Sequence, residues 1–234
     1  AIMRDADIYV DRLCANVPQH GGALLTASLS RYVVDLNRAL DDVDAAAVPD
    51  HPSPVASQPR GVVWRSTTDG RPVLKRPLSY ELFRARLARY YTPYHQTLRD
   101  HIDALHAEFG YAIVLAVHSM PSTARSPHVD AASRRADVVP GTLGRTSADS
   151  RLIDLVDAHF RSAGYSVRHD DPYRGGFTTA HYGRPERGVH AIQLEINRAL
   201  YVDEATFEIR EAGFAQLCRQ LERLVQELGA LSLA

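Results

Sequence analysis

The sequence predicts an α/β fold in which a mixed, mostly parallel sheet lies between helical layers. Three observations predict it. Ala112-Ile113-Val114-Leu115-Ala116-Val117 is a continuous apolar run of the kind carried by strands covered on both faces. Residues 190–196 alternate apolar and polar side chains as a second strand does. Amphipathic helical segments separate and follow these strands, an order that favours a sheet flanked by helices.

Along the chain, Val10, Leu13 and Val17 recur at helical spacing within 7–17. The apolar Ala23-Leu24-Leu25 and Tyr32-Val33-Val34 then read as two strands. Residues 41–60 hold several prolines without periodicity and read as a surface loop. Tyr80, Phe83, Leu87 and Tyr90 predict one helix, and Leu98, Ile102, Leu105 and Phe109 a second that stops at Gly110. The first long strand follows and ends in His118-Ser119-Met120-Pro121. The stretch 121–147 is polar and broken by proline. Leu152, Ile153, Leu155, Val156 and Phe160 then predict a helix ended by Gly164, with a short strand at 165–168. Phe214, Leu217, Leu221, Leu224, Val225 and Leu228 give the last helix one apolar face.

With 234 residues, 45% hydrophobic and without internal repeats, the chain suffices for one α/β domain over residues 1–234. A formal charge of −1 provides no positive field for a phosphate backbone or an anionic membrane, so neither nucleic acid nor membrane is an expected partner. Cys14 and Cys218 have no C-x-x-C spacing, which points away from a zinc knuckle or redox pair and towards a reducing, cytoplasmic setting. Neither a G-x-S-x-G elbow nor a phosphate-binding loop occurs, so serine hydrolases and nucleotide enzymes are not leading classes. Oligomeric state is not legible.

Ligands of open α/β sheets collect beyond the carboxyl ends of strands, which is where His118 falls. Its imidazole there is either a metal ligand or base, or a strand-end histidine bonded to backbone. Glu195 lies inside Ile192-Gln193-Leu194-Glu195-Ile196-Asn197-Arg198, where alternation puts Gln193, Glu195 and Asn197 on one face. A buried, unpaired carboxylate costs several kcal/mol, on the order of an ion's desolvation, so Glu195 needs a task or an ion pair, for instance with Arg198. Arg31 and Arg38 bracket Ser30–Arg38, and two guanidiniums suit a ligand with two carboxylates, unless Asp35 engages one of them. Asp171-Pro172-Tyr173-Arg174-Gly175-Gly176-Phe177 places Arg174 before a glycine pair, either for close approach to a ligand or as a tight turn.

Taken in order, DADIYVDRL at 5–13, SRYVVDLNR at 30–38, VHSM at 117–120, DPYRGGF at 171–177, YGRP at 182–185 and QLEINRALYVDE at 193–204 resemble the N-formylglutamate amidohydrolase family across nearly the whole chain. The resemblance implies a zinc-carboxypeptidase-like α/β fold, one divalent metal, usually zinc, and hydrolysis of a small N-acyl acidic amino acid such as N-formylglutamate, a step of histidine degradation. It implies His118 as a metal ligand, Glu195 as the general base, and Arg31, Asn37, Arg38 and Arg174 as holders of substrate carboxylates. Members of the family begin with a strand ending in a P-H-x-G motif whose His is expected to be a further ligand, and this sequence starts after that motif. Pro18-Gln19-His20-Gly21-Gly22 does not stand in for it, because it falls between the first helix and the next strand. Asp7 is the expected oxygen ligand, against helix capping as the role of Asp5 or Asp7. Two protein ligands fall short of the three usual at catalytic zinc. Two other readings stand beside the deformylase: a hydrolase of a different N-acyl acidic amino acid, since the sequence does not give the size of the acyl pocket, and, on the missing front motif, a metal-free protein that binds acidic amino acids.

Overall fold

A computed structural model of the chain describes residues 2–55, 60–123 and 134–233. In chain order its elements are α1 (Ile2–Asp5), α2 (Val10–Leu13), α3 (Tyr80–Arg86), α4 (Thr92–Phe109), β1 (Ala112–Met120), β2 (Val138–Gly141), α5 (Ser150–Ser162), α6 (Phe177–Tyr182), β3 (Val189–Asn197) and α7 (Glu211–Ala230). They belong to two compact units, one of residues 1–6 and 27–101, the other of residues 7–26 and 102–234.

The second unit holds the sheet, in the order β1-β3-β2. β1 runs parallel to β3, and β2 runs antiparallel to it. The sheet is thus mixed, with one pair of each kind among the described residues, and not mostly parallel as expected. The apolar run Ala112–Val117 lies on β1 at one edge, where its middle residues are only half buried, while β3 is central and buried from His190 to Asn197. Two-sided burial therefore belongs to the strand that alternates, because its polar face packs against a loop instead of water. β2 arises within the stretch read as polar and broken. Pro140 is tolerated at this edge of the sheet, where β2 meets the 166–170 segment through three backbone hydrogen bonds, in one of which the Pro140 carbonyl accepts from Asp170 N–H. Residues 165–168 form only a bridge from Val167 to Val138, not a strand. Residues 124–133 of the expected loop 121–147 lie outside the described ones.

α5 buries Leu152, Ile153, Val156 and Phe160 completely, packing on β2 and on α7, whose Leu217, Leu221, Leu224 and Leu228 face inward. Asp149 caps α5 by accepting the Arg151 N–H, and Gly164, at φ 87°, ends the run as expected. The expected helix over 7–17 is instead α2 followed by a 3₁₀ turn at Val17–His20, since Pro18 stands at the turn's start.

In the first unit, Ser30–Arg38 contains no strand, contrary to expectation, and Ala23–Leu25 of the second unit has none either. The cause in the former is local. The Ser30 hydroxyl accepts the Tyr32 N–H at 3.3 Å and the Asp35 carboxylate accepts the Asn37 N–H at 3.0 Å, so side chains take hydrogen bonds that a ladder would otherwise use. The 41–60 segment is irregular where described, 56–59 lying outside the described residues, yet it is no mere surface loop. Val43, Ala47 and Val48 are at most 1% exposed and join Val62, Val63, Trp64 and Phe83 in this unit's core. The two expected helices around 80–109 form one helical run, α3 and α4 joined by a π-helical turn at Leu87–Tyr91, and Gly110, at φ 78°, ends it.

Candidate active site

Parallel pairing of β1 with β3 sets His118 directly opposite Glu195. Directly opposed residues project from the same side of a sheet, so the imidazole and the carboxylate stand side by side on one face. On that face β3 carries Gln193, Glu195 and Asn197, opposite Ala116, His118 and Met120 of β1 and, for the first two, Gly141 and Val139 of β2. Glu195 is only 6% exposed.

Asp7 reaches this face from just before α2. Its two oxygens accept the Ser119 backbone N–H at 2.8 Å and contact His118 Nδ1 at 3.1 Å. Neither Asp5 nor Asp7 caps a helix: Tyr9 is the cap residue of α2, and Asp5, in the first unit, accepts from the Tyr32 hydroxyl at 2.7 Å and from the Thr68 N–H at 3.0 Å. A carboxylate at Nδ1 fixes the imidazole's orientation and tautomer, the arrangement that metal-bound histidines use to present Nε2. Among the described residues, however, no group of three His, Cys, Asp or Glu side chains is placed to hold one ion. Catalytic zinc takes three protein ligands, so the described side chains do not by themselves compose such a site.

The glycine loop 171–177 covers the polar face. A Cβ on Gly141 would lie 2.7 Å from Gly175 N and 2.9 Å from Tyr173 O, so only glycine in β2 lets the loop backbone come this close. Gly175 itself has φ 117°. The loop is tied down by Leu143 N–H donating to Arg174 O at 2.8 Å and by Gly176 N–H donating to Gln193 Oε1 at 2.8 Å. Gln193 Nε2 then donates to Glu195 Oε1 at 2.8 Å. Arg174 is exposed on this loop beside Gly144. Arg135, buried, donates to the Tyr173 hydroxyl at 2.8 Å and stacks over its ring. Arg198 donates to Ser119 Oγ and to the Ser119 carbonyl, at 3.0 and 3.1 Å.

The remaining expected substrate ligands lie in the first unit, gathered around Asp35. This buried carboxylate accepts from Trp64 Nε1 at 2.9 Å and from Asn37 N–H, and lies 3.9 Å from Arg38 Nε. The Arg31 guanidinium sits over the Trp64 ring, 5.5 Å from its centroid. The Tyr91 hydroxyl donates to the Arg38 carbonyl at 2.8 Å, and His95 Nε2 contacts the Leu36 carbonyl at 3.0 Å. Tyr91 stands in the π-helical turn, the kind of irregularity that often re-aims side chains at functional sites.

Sequence reasoning brought Asp7, His118 and Glu195 forward, and the fold gathers these three in one unit. It passed over Gln193, Gly141, Arg135 and Tyr91. The period-two spacing of Gln193 and Glu195 was the available signal for the first, while the other three have none without coordinates.

Comparison with known proteins gives the chain's family. The family described as N-formylglutamate amidohydrolase matches residues 1–202. The N-formylglutamate deformylase of Pseudomonas aeruginosa (PAO1) is 36% identical over 230 residues, covering 96% of this chain and 81% of that protein. Its Pseudomonas putida counterpart is 32% identical over 229 residues, with the same coverage of each. The crystal structure of N-formylglutamate amidohydrolase from Ralstonia eutropha JMP134 superposes with a TM-score of 0.84 at 37% identity, over 95% of this chain and 81% of that one. The chain belongs to the N-formylglutamate amidohydrolase family.

Proposed function

We propose that the protein hydrolyses the N-formyl amide of N-formyl-L-glutamate to formate and L-glutamate, with Glu195 as general base. The observation that carries this reading is the register of β1 and β3, which sets a carboxylate-backed imidazole beside a buried carboxylate. Glu195 takes a proton from water as its oxygen attacks the formyl carbon. The C–N bond then breaks, and the same carboxyl group returns the proton to the leaving nitrogen. Arg174, on the loop bonded to Gln193, is a carboxylate holder for the substrate, and such holders contribute orientation, not proton transfer. Arg31, Asn37 and Arg38 are proposed for the same task on the strength of the family resemblance.

Glu195→Gln keeps the shape and removes the base. Formate release is expected to fall by about 10³-fold, within the 10²–10⁴ that a positioned base contributes, with KM nearly unchanged. An active Glu195→Gln enzyme overturns the assignment. Comparing kcat/KM for formyl, acetyl and succinyl derivatives of Glu and Asp fixes the acyl group, and preference for a group other than formyl would replace the substrate named here.

Dependence on a divalent metal, usually zinc, is part of the proposal. The Asp7–His118 contact supports it, and a complete ligand set must include groups beyond those two. About one equivalent of zinc in the purified protein, with activity lost on chelation, is the expected result. Full activity in metal-free protein overturns it.

A further inference from the structure

We infer that Gln193 is the positioning residue of Glu195, coupling the base to the glycine loop; this rests on the reading of Glu195 proposed above. The contacts leave the amide one orientation. Gly176 N–H can only donate, so the group facing it must be the Gln193 carbonyl oxygen, and the NH₂ group must face Glu195. Both contacts are 2.8 Å, and Gln193 is 4% exposed, so water does not compete for them.

The sheet is built around this side chain. In register, Gln193 lies between Ala116 of β1 and Gly141 of β2, two of the smallest residues available. That gap admits the backbone of Tyr173, Arg174 and Gly175, which lies within 3 Å of where a Gly141 Cβ would be. The loop carrying Arg174 therefore ends on the Gln193 carbonyl, and the same amide fixes one oxygen of Glu195. The substrate-facing loop and the base are held in one geometry by a single side chain.

The test is steady-state kinetics of Gln193→Glu and Gln193→Met in the complete enzyme, with Glu195→Gln in parallel. Gln193→Glu keeps the volume and the acceptor for Gly176 but turns an oxygen towards Glu195. Positioning by donation predicts that kcat falls by about 10- to 100-fold, the usual cost of losing an orienting partner, while KM stays within about twofold. A residue that merely anchors the loop predicts the reverse, with Gln193→Glu close to wild type. Gln193→Met removes both contacts and is expected to lower kcat likewise, with wild-type kcat overturning the inference should Gln193→Glu not fold. An inactive Glu195→Gln alongside a near-wild-type Gln193→Glu refutes the role of Gln193 alone. An active Glu195→Gln refutes the base, and this inference with it.

Discussion

Ser30–Arg38 and residues 189–198 look alike as sequences, each a short run of mixed apolar and polar residues ending in Asn-Arg, yet one is an irregular segment and the other carries the central strand of a sheet. The difference lies in what satisfies the backbone. β3 has a partner strand on each side, so its ladder places Gln193, Glu195 and Asn197 by register. In Ser30–Arg38 the hydroxyl of Ser30 and the carboxylate of Asp35 take local N–H groups, and the segment is shaped by single side chains. Register is collective and tolerates the loss of one contact. A segment organised by one carboxylate does not.

Removing Asp35 tests that contrast most severely. Asp35→Ala orphans the buried indole N–H of Trp64, removes the carboxylate that accepts from Asn37 N–H and leaves Arg38 beside Asp42. An unsatisfied buried donor costs about 1–3 kcal/mol, so a loss of about 3 kcal/mol in urea unfolding is expected, with KM raised through Asn37 and Arg38. A loss below about 1 kcal/mol would place the segment's order elsewhere.

Asp7→Asn probes the strand side of the comparison. The β1–β3 ladder stays, so the melting temperature should change little, while the imidazole loses its anionic partner. A fall in kcat of about 10- to 100-fold is expected. An unchanged kcat would mean that the sheet alone orients His118.

Gly141→Ala asks whether the strands also set the loop. Its Cβ would meet the backbone of Tyr173 and Gly175 below 3 Å, and backbone cannot rotate away as a side chain can. Overpacking of this kind costs about 1–3 kcal/mol, so about 2 kcal/mol is expected together with reduced turnover. Full activity would show that the glycine loop need not touch the sheet.

The smallest effect is expected at Asp149, where a helix in the strand-bearing unit depends on one carboxylate, as Ser30–Arg38 does. Hydrogen bonding from Arg151 holds its carboxyl down to about 2, from an ordinary value near 3.8. A depressed folded value contributes stability above the ordinary pKa, and that contribution is lost as pH falls from about 4 towards about 2. Asp149→Ala should cost about 1 kcal/mol at neutral pH, the usual worth of a cap, and should flatten the acid limb of the stability profile. An unchanged acid limb would remove Asp149 from acid unfolding.

How much was legible follows the same division. α5, α7, β1 and β3 carry their hydrophobic patterns in their own residues, and Gly110 and Gly164 stop helices because a positive φ suits residues without a Cβ. β2 was hidden because Val-Val-Pro-Gly is a turn signal everywhere except at a sheet edge. β1 read as the doubly covered strand, yet its middle residues are only half buried while β3 is buried, because polar residues facing a buried site look like polar residues facing water. Family resemblance supplied His118 and Glu195 as chemistry, and the structure adds the contacts that Asp7 makes with His118 and Ser119.

By itself the sequence determined that β1 and β3 are strands and which face of β3 is polar, since such patterns are local and each residue carries them. Only the tertiary structure decided that His118 faces Glu195, that Gly141 admits the glycine loop and that Gln193 bridges loop and base. Those facts depend on register and contact between separate segments, and no local pattern encodes register.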